Sequence, residues 1–193
     1  MSLAPWRSPL NHALHRNRSR PESRYFQLAT IRPDGTPANR TVVFRGFLEE
    51  TNQLKIVTDA RSQKAQQIPA HPHGEVCWYF PITREQFRLQ GHLTLVGPDA
   101  SNPTLQQARC REWQQLSDSA RGQFSWPDPA APRGDRDDFS PPVPDTSQPL
   151  AQFCLLLLDP ITVDWLELRG EPQNRCLYQF NGDRTWSQQA INP

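Results

Sequence analysis

The chain has 193 residues, with 21 Lys and Arg set against 20 Asp and Glu. That length suits one domain. The balanced charge excludes a generally basic nucleic-acid binder or an acidic tail protein, and no apolar run approaches the ~20 residues of a membrane-crossing helix.

Ser8-Pro9 reads as an N-cap followed by proline at the first helical position, opening a short helix to about Arg16. Residues 25–31 (YFQLATI) read as a strand, the turn Pro33-Asp34-Gly35 follows, and Thr41 to Phe44 is a second strand rich in β-branched residues. After a turn at 48–52 comes a third strand at 54–58, then a short helix at 62–68 capped by Ser62. These segments lie too close together for crossover helices, so antiparallel pairing is expected.

Further strands are expected at 76–80 and 86–96, and a helix at 103–116 with Leu105, Ala108 and Leu116 as its apolar positions. From Gly122 to Pro149 the pattern dissolves into proline and aspartate, which reads as a long surface insertion because too little chain follows it for a second core. Strand signals at 153–158, 163–168, 176–180 and 185–190 complete the chain, and no internal repeat is present. Many short strands with few helices predict a mainly β architecture: a closed or nearly closed antiparallel β-barrel with flanking α-helices, in one domain.

Several chemistries lose support. GxGxxG, P-loop and GxSxG motifs are all missing from the sequence. The histidines offer one i,i+2 pair, His71 and His73, too few ligands for a metal site, with Cys77 the nearest addition. Cys77, Cys110, Cys154 and Cys176 form no CxxC pair, so buried thiols in a reducing cytoplasm are expected. The basic N-terminal stretch lacks the apolar segment of a secretory signal.

The most informative stretch is Arg40-Thr41-Val42-Val43-Phe44-Arg45 followed by Thr58-Asp59-Ala60-Arg61-Ser62-Gln63-Lys64. An apolar strand between two arginines precedes a polar strand-to-helix turn. Hydroxyls, free N–H groups and cations at such a turn are what a phosphate dianion needs. Alternation puts Arg40 on the face of Val42 and Phe44, with Arg45 on the other. Solvated strand-edge charges and an ordinary helix cap are also compatible with this spacing.

RTVVFR, VTDARSQKAQQI and REQFRLQG, in that order, resemble the pyridoxamine 5′-phosphate oxidase family of FMN-binding split barrels, as do Trp165 and Arg175 ten residues apart in VDWLELRGEPQNRCLYQF. The resemblance spans about residues 24–97 and 160–187 and leaves out the proline-rich segment. It implies an FMN-dependent oxidoreductase acting on a small molecule. Arg40 would contact the flavin phosphate, Thr41, Val42, Val43 and Phe44 would line the ring system, and Thr58, Ser62 and Lys64 would complete the phosphate cradle. Gln86 would bond near the ring, and Trp165 with Arg175 would close the site from the partner subunit of a homodimer.

The departures matter too. Val57 replaces a family tyrosine, Gln63 an arginine and Arg45 a lysine, with Arg61 able to restore the lost cation. Glu171-Pro172-Gln173 stands where the family has a substrate-binding Arg-Leu-His, and Trp113, Ser117 and Arg121 fall where it has a basic set on the preceding helix. Cofactor residues persist while substrate residues change, so an altered substrate is expected. The alternatives are genuine pyridoxamine phosphate oxidation, a non-catalytic flavin or haem binder, and a deazaflavin user.

Overall fold

The computed structural model describes residues 3–193. Among these, eight strands join in one sheet: β1 (Tyr25–Ile31), β2 (Pro37–Val43), β3 (Leu54–Asp59), β4 (His73–Phe80), β5 (Glu85–Val96), β6 (Phe153–Glu167), β7 (Asn174–Phe180) and β8 (Trp186–Ala190). Their order is β2-β1-β4-β5-β6-β7-β8, with β3 added against β6, and every pairing is antiparallel. Helices α1 (Arg7–Arg16), α2 (Gln63–Gln67), α3 (Pro103–Gln114) and α4 (Asp118–Gly122) flank the sheet. The expected mainly β barrel with flanking helices is the observed architecture.

The long β5–β6 pair organises it. Residues 153–158 and 163–168, expected as two strands, form parts of one 15-residue strand. Gln90 pairs with Thr162 and Gly91 with Pro160, so Ile161 is an extra residue that bulges outward. The bulge accommodates Pro160, which cannot donate to a ladder, and bends the pair. On its other edge β6 pairs with β3 before the bend and with β7 after it.

The run Leu155 to Leu158 is continuous rather than alternating because both faces are covered. Leu156 and Leu158 enter the barrel interior, while Leu155 and Leu157 pack with Val96 under Leu105 and Ala108 of α3. Each such side chain contributes about 1.5–3 kcal/mol on burial. Inside the barrel the Trp78 ring sits 5.0 Å from Phe26 and 4.8 Å from Phe44, and its indole N–H donates to the Ser23 carbonyl at 2.9 Å.

Local signals set most boundaries, with some shifts. The first helix begins at Arg7, before the expected Ser8 cap, because fully buried Trp6 anchors its start and Leu10 and Ala13 form its buried stripe. Strand β2 starts four residues earlier than expected, since its hairpin with β1 pairs continuously from Ile31–Pro37 to Tyr25–Val43. Helix α3 is capped by Asn102, whose side chain accepts from the Thr104 and Leu105 amides.

A Cβ added at Gly91 would be driven into the Asp159 backbone carbonyl opposite it. Gly91→Ala is therefore expected to destabilise the fold by about 3 kcal/mol. Urea unfolding should show a lower midpoint with an unchanged m-value.

Candidate functional site

The strand-to-helix turn after β3 assembles a small polar cradle. Thr58 Oγ1 lies 3.2 Å from Ser62 Oγ, and Lys64 Nζ donates to that same Ser62 oxygen at 3.3 Å. Ser62 is the N-cap of α2, as expected, but its side chain makes no capping bond and so remains available to these partners.

Arg40, on β2, lies near enough to the cradle to act electrostatically on Lys64, though it is not among the residues lining the adjoining cleft. Its guanidinium donates to Thr30 Oγ1 at 2.5 Å, to the Leu28 and Ala38 carbonyls at 3.1 Å, and to Gln67 Oε1 at 3.4 Å. Thr30 in turn donates to Gln67 Oε1 at 2.6 Å. These bonds orient the cation without neutralising it. Burial, and then the neighbouring Arg40, push the Lys64 ammonium below the usual lysine range, with Asp59 acting in the opposite direction. Among the described residues no carboxylate pairs with Arg40, Arg45 or Lys64.

Beside the cradle lies a cleft of about 570 Å³. Thr41, Val42, Val43, Arg45, Val57, Thr58, Arg61 and Lys64 line one side. Arg45 Nε is buried there with no hydrogen-bond partner. The rest of the lining comes from residues with no role expected in the site: Leu116, Phe124, Trp126, Phe139 and prolines 127, 129 and 132. Aromatic residues inside a proline-rich loop were the available signal, because such side chains normally seek a surface to cover.

Several expected residues lie elsewhere. Phe44 is a core residue, 6% exposed, whose ring packs on Phe47 and Trp78. Arg61 does not supply a free cation: it is paired with Asp59 at 2.7 Å and with Asp128 at 2.9 Å. Trp113 is buried and donates to the Asp145 carbonyl, and Arg121 is locked onto Asp118 and the Leu116 carbonyl, so neither offers a substrate contact.

Gln86 and Arg175 lie on the outer face of the sheet, in the cross-strand row Tyr79–Gln86–Leu166–Arg175, away from the cleft. Trp165 faces the other way. It pairs with Cys176, stacks on Phe87 at 6.2 Å and donates to Glu85 Oε1 at 3.0 Å. The ten-residue interval to Arg175 is present, but the pleat separates the two side chains. Arg175 is instead gripped by Asp164, which accepts at 3.0 and 2.8 Å and also pairs with Arg88.

Comparisons with known proteins accord with this geometry. A family model described as pyridoxamine 5′-phosphate oxidase, FMN-binding domain, matches residues 3–97. Pyridoxine/pyridoxamine 5′-phosphate oxidase 2 of Arabidopsis thaliana is 37% identical over 196 residues, covering 99% of this chain and 98% of its own. The crystal structure of a pyridoxamine 5′-phosphate oxidase-related, FMN-binding protein from Nostoc punctiforme PCC 73102 is 61% identical, with a TM-score of 0.98 over 100% of both chains. PhzG from Burkholderia lata 383, solved with tetrahydrophenazine-1-carboxylic acid, shares the fold at a TM-score of 0.79 and 15% identity, covering 98% of this chain and 93% of its own.

Fold and cleft together define an FMN-binding split-barrel protein. The chain belongs to the pyridoxamine 5′-phosphate oxidase family, and its cofactor is FMN. The residues present fit that group: two neighbouring, uncompensated cations beside two hydroxyls match the charge and hydrogen-bonding capacity of a phosphate dianion.

The Asp164 carboxyl is held below the usual carboxylate range, first by its bond from Arg175 and then by Arg88. A carboxylate depressed in the folded state stabilises above its unfolded pKa of about 4 and loses that contribution as pH falls through the folded value. The stability gap between wild type and Asp164→Asn should therefore be constant above about pH 5 and narrow below about pH 4, as followed by chemical denaturation across pH.

Proposed function

We propose that the protein is an FMN-dependent oxidoreductase with a substrate site altered from that of its pyridoxamine phosphate-oxidising relatives. The chain acts as one domain carrying an insertion at 122–149. The observation that carries this reading is the pair Arg40 and Lys64, partly buried beside one another with no carboxylate on either. Arg40, Thr58, Ser62 and Lys64 hold the flavin phosphate. Thr41, Val42 and Val43 flank the ring system, and Arg45 lines the same cleft. When bound, the flavin supplies two-electron redox chemistry, while the protein provides orientation, electrostatics and exclusion of water.

A homodimer completes the site. Gln86 and Arg175 face outward in this protomer, on the same sheet face as Tyr25 and Tyr79, which are 46% and 45% exposed. A second copy against that face would cover the tyrosines and bring Arg175, already oriented by Asp164, to the neighbouring cleft. The four free cysteines suit a reducing cytoplasm, and among the described residues no helix is long and apolar enough to cross a membrane.

A second reading, oxidation of pyridoxine or pyridoxamine 5′-phosphate itself, is favoured by the name of the Arabidopsis relative, which matches along nearly its whole length. Against it, exposed Glu171 stands where the family places a substrate-binding arginine. A carboxylate about 5 Å from a phosphate costs roughly 3 kcal/mol at an effective dielectric near 20, which is about a hundredfold in affinity.

Three measurements test these points. FMN titration should show preference over FAD, and the Arg40→Ala/Lys64→Ala double variant should bind at least about a hundredfold more weakly, from the loss of two charge-assisted bonds. Affinity should also fall as pH rises through the lowered Lys64 pKa, because the dianion then loses its cation; equal binding by the double variant would place the phosphate elsewhere. Sedimentation of FMN-loaded protein should give a dimer, and a stable monomer would exclude the shared site. Pyridoxal phosphate formation from pyridoxamine 5′-phosphate should be slow or absent in fully loaded protein, and ordinary family turnover would favour the second reading.

A further inference from the structure

We infer that Arg61 is a positioning residue: it pins the proline-rich segment against the cradle turn, making that segment a fixed wall that determines what enters the cleft. The inference rests on the proposed placement of FMN in the same cleft. Position 61 is two residues from the cation the family uses, and its guanidinium is spent on protein partners. One edge grips Asp59 of its own turn through Nε at 3.0 Å and Nη2 at 2.7 Å. The other reaches the segment at three points: the Phe124 carbonyl at 3.2 Å, the Trp126 carbonyl at 3.1 Å and Asp128 Oδ1 at 2.9 Å.

A planar five-donor fork can hold that many acceptors in fixed directions, where a lysine could not. Both ends of the segment are tied as well. Gln152 donates to the Phe124 carbonyl at 2.6 Å, and Trp113 donates to the Asp145 carbonyl at 2.8 Å.

Within the loop, Trp126 and Phe139 meet edge to face at 5.6 Å, closing it onto itself. Prolines 127, 129 and 132 reduce the freedom it must surrender on ordering. The loop therefore presents to the cleft a largely apolar surface, interrupted by Gln123, Asp128 and Arg133, at a distance set by Arg61. Asp59 and Asp128 absorb the charge of Arg61, which leaves Arg40 and Lys64 to meet the phosphate. Cofactor turn and substrate wall are thus joined through one side chain.

The test uses FMN-loaded Arg61→Gln and Asp128→Asn proteins, with three readouts: FMN affinity, tryptic cleavage after Arg133 and Arg136 within the segment, and quenching of bound-flavin fluorescence by iodide. If Arg61 positions the wall, both variants bind FMN far more tightly than the Arg40→Ala/Lys64→Ala protein, with any smaller loss in Arg61→Gln coming from the unpaired Asp59, while cleavage accelerates by at least about tenfold in Arg61→Gln and less in Asp128→Asn, as expected when charge-assisted bonds no longer oppose local opening. Iodide quenching should rise in the same order.

Unchanged cleavage and quenching in both variants would overturn the inference, as would loss of FMN by Arg61→Gln matching that of the Arg40→Ala/Lys64→Ala protein. The latter result would make Arg61 a phosphate ligand. Failure of the wild type to bind FMN would instead overturn the proposed function, while the cleavage comparison, repeated without flavin, would still decide whether Arg61 pins the segment.

Discussion

The pairing of β5 with β6 around the Gly91–Pro160 bend is the constraint on which the rest of the molecule depends. A straight β6 would offer one free edge to one neighbour. Bent at Ile161, it offers that edge twice, to β3 on one side and to β7 on the other. The β3 half carries the cradle turn at its end, and the β7 half carries Arg175 on the outer face. The close approach of Gly91 to the Asp159 backbone allows the bend, so a single glycine keeps the two halves in register.

The barrel then holds unbalanced charge near its surface. Lys64 and Arg40 are partly buried with hydrogen-bonding partners but no anion, an arrangement that costs folding energy in the free protein and favours a dianionic ligand. Asp164 shows the opposite case. There two arginines converge on one carboxylate, so the anion is matched, one positive charge is left over, and Arg175 is held in a fixed direction.

Arg61 joins the two walls of the cleft. The residue that the resemblance made a substitute phosphate cation is already paired with Asp59 and Asp128. The same bonds bring a segment that looks like inert surface in one dimension against Val43 and Val57. The altered substrate site proposed for this protein is therefore built from chain that lies outside the family resemblance.

Alternation and turn chemistry made β1, β3, β4 and β5 legible in the sequence, since those strands bury one face and each adjoins a turn containing glycine, proline or asparagine. The order of the RTVVFR, VTDARSQK and REQFRLQG motifs likewise carried the family and its cofactor. What the sequence by itself determined was thus local: period, breakers, and the residue types of a phosphate cradle. Which charges are satisfied is only partly a local property. Arg61 is paired by Asp59 two residues away but also by Asp128 far along the chain, whereas Arg121 is held by near neighbours, Asp118 and the Leu116 carbonyl. Trp165 and Arg175 keep their interval while the pleat turns them to opposite faces. Only the tertiary structure decided that residues 124–128 reach Arg61 and that β6 and β7 pair in the register that sets those faces, because both depend on contacts between segments far apart in the chain.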